Sequence, residues 1–162
     1  MSITPKQITA ASIADIQLQK LYKTAFPADE QIPWDELIGL IDKMPLDFTA
    51  YYEDGDLVGF TIVYPRKSFN WFWYFAVCED KRGRGYGQSI LTHLQERYKT
   101  QSFVLDMESP DQYPCDNAEQ RKRRHEFYLR NGFRDTHVYR TYSDTTMTIM
   151  KKGEVSLYSL MK

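Results

Sequence analysis

The stretch FNWFWYFAVCEDKRGRGYGQSIL, residues 69–91, decides the fold. Its first nine residues, Phe69 to Val77, are aromatic or aliphatic on both alternating faces, which predicts a strand covered on both sides in the middle of a sheet. Its end opens a helix, because Ile90, Leu91, Leu94 and Tyr98 recur at helical spacing while Gln95, Glu96 and Lys99 face out. Between the two stand Gly83, Gly85 and Gly87, interleaved with Arg82, Arg84 and Tyr86 and preceded by Lys81. A helix start leaves its first N–H groups without partners and carries the positive end of the helix dipole. Glycines let the chain take left-handed angles there and let an anion approach the backbone, and the arginines add full charges. The turn is expected to hold a pyrophosphate; a merely structural turn needs one glycine, not three.

Upstream, SIADIQLQKLYKTAF predicts a first helix from a Ser12 cap to Phe26, ended by Pro27, and IPWDELIGLIDKMP predicts a short second helix opened by Pro33. FTAYYEDGDLVGFTIVYP predicts strands near 48–53 and 57–64 joined by an Asp-Gly turn. Downstream, SFVLDME predicts a strand, DNAEQRKRRHEFYLRNG a helix with an Asn-Gly stop, and HVYRTY with TTMTIMKK a hairpin through SD. Helices mixed with a partly parallel sheet make an α/β layer domain, and no linker or repeat divides the chain, so one domain over 1–162 is expected.

The balance of 21 basic against 22 acidic residues, net charge −1, gives no global attraction for a polyanion, and nucleic acid is not expected as a partner. The run RKRR, Arg121 to Arg124, fans around a helix instead of forming a stripe. Two cysteines, Cys78 and Cys115, without metal-ligand spacing fit a reducing compartment, so no metal and a cytoplasmic location are expected. His93, His125 and His137 fall in no ligand pattern. The longest apolar run is too short to span a bilayer, and no membrane partner is expected.

Neither a dinucleotide fingerprint nor an ATP loop fits RGRGYG. The stretch resembles the acetyl-CoA-binding motif of GNAT-type N-acetyltransferases, V-x-x-x-x-R-G-x-G-x-G/A between a strand and a helix, at Val77, Arg82, Gly83, Gly85 and Gly87. EFYLRNGF resembles a second family feature, a tyrosine four residues before a Gly-Phe pair, at Tyr128 and Gly132-Phe133. The resemblance is strongest over 71–135. Glu79 stands where many members have proline, and Arg121 where many have an asparagine that contacts CoA.

The resemblance implies a GNAT-like domain, a mixed central sheet flanked by helices, with a splayed pair of strands for the cofactor. It implies acetyl-CoA as cosubstrate, with backbone groups of Phe75, Ala76 and Val77 serving the pantetheine arm. The pyrophosphate would lie on Arg82, Gly83, Arg84, Gly85, Tyr86, Gly87 and Gln88, with Arg121 a charge contact to CoA. It implies transfer of the acetyl group to a primary amine of a small molecule or peptide by direct attack, with Tyr128 giving a hydrogen bond to the departing sulfur. An alkylamine of pKa about 10.4 is neutral in only about one molecule in a few thousand at pH 7, so a base or a desolvating pocket is needed. Asp106 and Glu108 point to one face of the late strand, and Glu108 at its end is the candidate base or amine anchor. Glu30, Trp34 and Tyr74 are further candidates to line the acceptor site, although ordinary loop and core roles suit them as well. A module that holds acyl-CoA without turnover is the rival reading. A monomer or homodimer is expected, the apolar tail VSLYSLM being the segment for a second copy.

Overall fold

Asp54 (φ 52°) and Gly55 (φ 85°) are the two left-handed residues of a tight hairpin, the turn an Asp-Gly pair makes where twisted strands must meet. They join β2 (Asp47–Glu53) to β3 (Asp56–Pro65) in antiparallel register, Phe48 opposite Ile62 and Ala50 opposite Phe60. In the computed structural model the described residues are 2–98, 102–142 and 144–155. The segment VSLYSLM, residues 155–161, offered above for a second copy, lies outside them apart from Val155.

The remaining elements are β1 (Thr4–Gln7), α1 (Ile16–Ala25), α2 (Trp34–Leu40), β4 (Asn70–Val77), α3 (Tyr86–Arg97), β5 (Phe103–Glu108), α4 (Ala118–Arg130), β6 (Arg134–Tyr142) and β7 (Thr145–Lys152). The strand order is β1-β2-β3-β4-β5-β7-β6 in a mixed sheet, with β4 parallel to β5. The fold is α/β, as expected. Backbone contacts divide it into two compact units, Met1–Pro65 with Trp73–Lys99, and Arg66–Phe72 with Thr100–Lys162.

The first unit is built around Leu18, Leu21 and Tyr22 of α1, Trp34, Leu37 and Ile38 of α2, and Phe48, Phe60 and Ile62 of the hairpin, all buried. The first helix is shorter than its apolar pattern predicts. A 3-10 turn, Ala10–Ala14, precedes it, and Asp15 rather than Ser12 is the cap, its Oδ1 accepting from the Leu18 N–H at 3.0 Å. Trp34 is a core residue, edge-on to Phe48, and Tyr74 donates its hydroxyl to the Glu30 carbonyl. These contacts support the core and loop roles for Trp34 and Tyr74.

In the second unit β4 and β5 pair at two positions, Asn70 with Phe103 and Trp71 with Val104. β5 then pairs antiparallel with β7 over its full length. β6 begins three residues earlier than its alternation predicts, because the register with β7 shifts between Asp135 and Tyr139 and His137 takes a left-handed φ of 57°. A shift of this kind hides a strand from pattern reading. α4 ends in a Schellman motif: Gly132 sits at φ 89°, its N–H reaches the Leu129 carbonyl, and the Phe133 N–H reaches the Tyr128 carbonyl.

Candidate functional site

The glycine turn belongs to the first unit and is a packed continuation of β4. Phe75 and Val77, near the end of that strand, pack against the buried cluster of Tyr51, Val58, Tyr86 and Ile90, so the strand end and the first turns of α3 share one small core. Gly59 of β3 permits this approach. A Cβ there would stand 2.3 Å from the Ala76 carbonyl oxygen, closer than any real contact. After Val77 the chain makes a 3-10 turn, Glu79–Lys81, and Arg82 folds back to donate its Nε to the Val77 carbonyl at 3.3 Å.

Gly83 (φ 76°) and Gly85 (φ 85°) are left-handed, a conformation that a side chain disfavours. Gly85 is the N-cap of α3 and no side chain caps the helix; its first turn carries no acid. Gly87 lies inside α3. Tyr86 is buried, and its hydroxyl donates to Glu53 Oε1 at 2.5 Å, a bond that holds the Glu53 carboxyl below its usual range. Tyr86 therefore meets any ligand at this turn through its backbone N–H, not its ring. Gln88 donates to Thr92 along an open groove that Gly85, Ser89 and His93 also line.

In the second unit, Glu108 and Arg121 form the centre of a buried network. The Glu108 carboxylate accepts from Arg121 Nη2 at 2.9 Å and from Asn117 Nδ2 at 3.2 Å to each oxygen, with Arg124 Nη1 3.6 Å away. Arg121 is 5% exposed. Its Nε donates to Asn117 Oδ1, and its Nη1 to the Ser109 carbonyl and to Gln112 Oε1. The structure thus turns Arg121 inward, toward Glu108, where the sequence reading had it contact CoA. The other residues of the basic run separate around the helix, Lys122 and Arg123 exposed and Arg124 half-buried.

Tyr128, in the last turn of α4, is buried beside Phe127 and Phe133, each ring centroid 5.4 Å from its own. Burial pushes its phenol up to about 12, with Arg124 opposing. No side-chain partner holds the hydroxyl among the described residues. A phenol in this state stays protonated at neutral pH and is a hydrogen-bond donor, not an acid.

Pattern reading missed Asp111, Asp135 and His137, whose ligand atoms lie within 4.8 Å of one another. They already satisfy each other and their neighbours. Asp135 accepts from Thr148, the His137 N–H and His125, and Asp111 accepts from Tyr139. Burial works against ionisation of Asp135, and the bonds from Thr148, His137 and His125 outweigh it, holding the carboxyl low. Both cysteines are free thiols, and burial pushes Cys78 up.

Comparison with known proteins places this strand, glycine turn and helix inside an acetyltransferase domain. The acetyltransferase (GNAT) domain family matches residues 46–135, which takes in the turn and Tyr128. The chain belongs to the GNAT family of acetyltransferases. A GNAT-family acetyltransferase described from Bacteroides thetaiotaomicron has a similar fold, with TM-score 0.80 and 24% identity over 98% of this chain and 93% of that one. Ard1 from Thermoplasma volcanium follows at 0.73, with 20% identity over 96% and 100%. The PaiA N-acetyltransferase from Thermoplasma acidophilum, solved in complex with coenzyme A, is similar at 0.66, with 16% identity over 95% and 100%. No curated protein sequence matches the chain.

Proposed function

We propose that this chain, acting as one domain, transfers the acetyl group of acetyl-CoA to a primary amine of a small molecule or peptide by direct attack. The observation that carries the reading is the start of α3: an uncapped helix end at left-handed Gly85, beside Lys81, Arg82 and Arg84, inside the segment that matches the family. The turn fits a pyrophosphate, because a helix start without a side-chain cap and neighbouring cations supply what a doubly charged anion needs. Gly83, Gly85, Tyr86, Gly87 and Gln88 would contribute backbone N–H groups, and Arg82 and Arg84 charge. The backbone groups of Phe75, Ala76 and Val77 in β4 would hold the pantetheine arm, past the two positions where β4 is laddered to β5. A cytoplasmic setting fits the two free thiols.

In this reading the amine nitrogen bonds to the acetyl carbon, the carbon–sulfur bond breaks, and the amine's proton ends on the thiol. Tyr128 donates a hydrogen bond to the sulfur as it leaves. Its raised phenol makes full proton transfer uphill, since an unperturbed thiol has pKa about 8.5. Glu108 changes role on this geometry. Both of its oxygens are engaged by Arg121 and Asn117, so we assign it to ordering the start of α4 instead of taking the amine's proton.

Thiol release from acetyl-CoA against a panel of polyamines, amino acids, aminoglycosides and peptide N-termini tests the reading. Amine-dependent release is expected. Release with no member of the panel, while acetyl-CoA still raises the melting temperature, would replace it with a non-catalytic acyl-CoA-binding module.

A further inference from the structure

Two residues before Glu108 on the same face of β5, Asp106 has a different environment. Its side chain is 23% exposed. Oδ1 is out of solvent contact without a hydrogen-bond partner, and Oδ2 has only Arg140 Nη1 of β6 at 3.6 Å, too long for a hydrogen bond. Among the described residues neither oxygen accepts a hydrogen bond. Asp106 pairs with Ile149 across the sheet, beside the apolar cluster of Phe69, Val104, Ile149 and Val155 on which Trp71 packs. Burial pushes the carboxyl up and Arg140 opposes. Native structures rarely leave a buried carboxylate so poorly satisfied, because its desolvation is not compensated.

Arg140 shows what the place accepts. Its guanidinium lies 5.9 Å from the centre of the Trp71 ring while it reaches toward Asp106. A carboxylate and an aromatic face both within reach of one cation make a seat for positive charge. Arg140 itself is 40% exposed, on a strand at the end of the sheet order, and its Nη1 bonds Tyr142 at 3.4 Å. An exposed ion pair of this kind is weak, so a second cation displaces it readily.

We infer that Asp106 and the ring of Trp71 form the seat for the protonated amine of the acetyl acceptor, with Arg140 as its internal competitor. The acceptor class is a cationic alkylamine. This rests on the amine-acetylating reading above.

Titration with n-butylammonium, followed at the Trp71 indole resonance, tests the seat without turnover. Binding is expected to weaken about tenfold in Asp106→Asn and to tighten severalfold in Arg140→Ala. The asparagine keeps the shape and removes a poorly satisfied charge, so its melting temperature should not fall. No binding to the wild type, or equal binding to Asp106→Asn, overturns the inference. Turnover separates it from the reading it rests on. With acetyl-CoA, Asp106→Asn should raise KM for butylamine about tenfold and leave p-anisidine, an arylamine uncharged at pH 7, within twofold. Asp106-dependent binding without turnover of either amine removes the acetyltransfer and keeps the seat. Butylamine turnover indifferent to Asp106→Asn removes the seat and keeps the acetyltransfer.

Discussion

The two longest helices begin in opposite ways. α3 starts at a left-handed glycine with no side-chain cap, no acid in its first turn, and Lys81, Arg82 and Arg84 just before it. α4 starts at Asn117, also without a side-chain cap, but carries Glu119 in its first turn and has the Glu108 carboxylate fixed beside it by Asn117 and Arg121. A helix start favours negative charge in either case. The second is supplied with the chain's own anion, and the first is left for one from outside. Local basicity does not tell them apart: RKRR carries more charge than RGRG, yet its first arginine is buried against Glu108.

Breaking the self-supplied start should have the largest effect, and on stability. Arg121→Ala removes the buried cation of Glu108 and leaves it only the more distant Arg124 at 3.6 Å, a change that destabilises by up to about 3–5 kcal/mol. For a chain of this length that lowers the melting temperature by roughly 10 °C. Affinity for acetyl-CoA, measured by calorimetry on the folded protein, should be unchanged. A large loss of affinity with an intact melting temperature would return Arg121 to the cofactor.

The open start should break the other way. Gly85→Val forces a β-branched residue toward φ 85° and puts a side chain where an anion would approach. Its kcat/KM for acetyl-CoA should fall at least 10²-fold, with loss of the stabilisation that acetyl-CoA gives. A folded variant that keeps the full thermal shift would show that the pyrophosphate does not lie on this turn.

Tyr128 sharpens the comparison from the far end of α4. Tyr128→Phe keeps the ring beside Phe127 and Phe133 and removes the hydroxyl, so kcat should fall about 10²-fold with acetyl-CoA affinity unchanged. Retained kcat at saturating acetyl-CoA would mean that water serves the thiolate. The same variant has a pH signature. A buried phenol raised to about 12, against about 10 unfolded, adds stability that is complete below pH 10 and lost as pH rises toward 12. Melting curves between pH 8 and 12 should therefore fall less steeply in Tyr128→Phe, the difference reaching roughly 2–3 kcal/mol at pH 12.

Features written in neighbouring residues were legible. The Asp-Gly hairpin, β7 at 145–152 and the Asn-Gly end of α4 stand where their turn residues and alternation put them. β1 was not foreseen: TPKQ is exposed at all four positions, contains Pro5, and is a strand only through its pairing with β2. The apolar period of helix one runs back to Ile13, but there the chain makes the 3-10 turn Ala10–Ala14, and the Asp15 cap starts the α-helix only at Ile16. At the site, alternation placed Asp106 and Glu108 on one face, and no local pattern distinguishes them. Their difference comes from partners remote in sequence, Asn117 and Arg121 for one, Arg140 and Trp71 for the other.

The smallest expected effect lies inside the open start. Tyr86 heads α3, and its hydroxyl donates to Glu53 beside the Asp54-Gly55 turn, tying the first residue of the helix to the hairpin. The bond sets the position of the backbone N–H groups at the turn without adding charge to it. Tyr86→Phe keeps the buried ring and releases that tie. KM for acetyl-CoA should rise about threefold, as expected for one part-buried hydrogen bond, with kcat unchanged. Glu53→Gln retains an acceptor for the tyrosine and removes a negative charge near Lys81, so KM should stay at the wild-type value or fall slightly. A rise in Glu53→Gln that Tyr86→Phe does not share would mean that the carboxylate's charge, not the position of Tyr86, governs the turn.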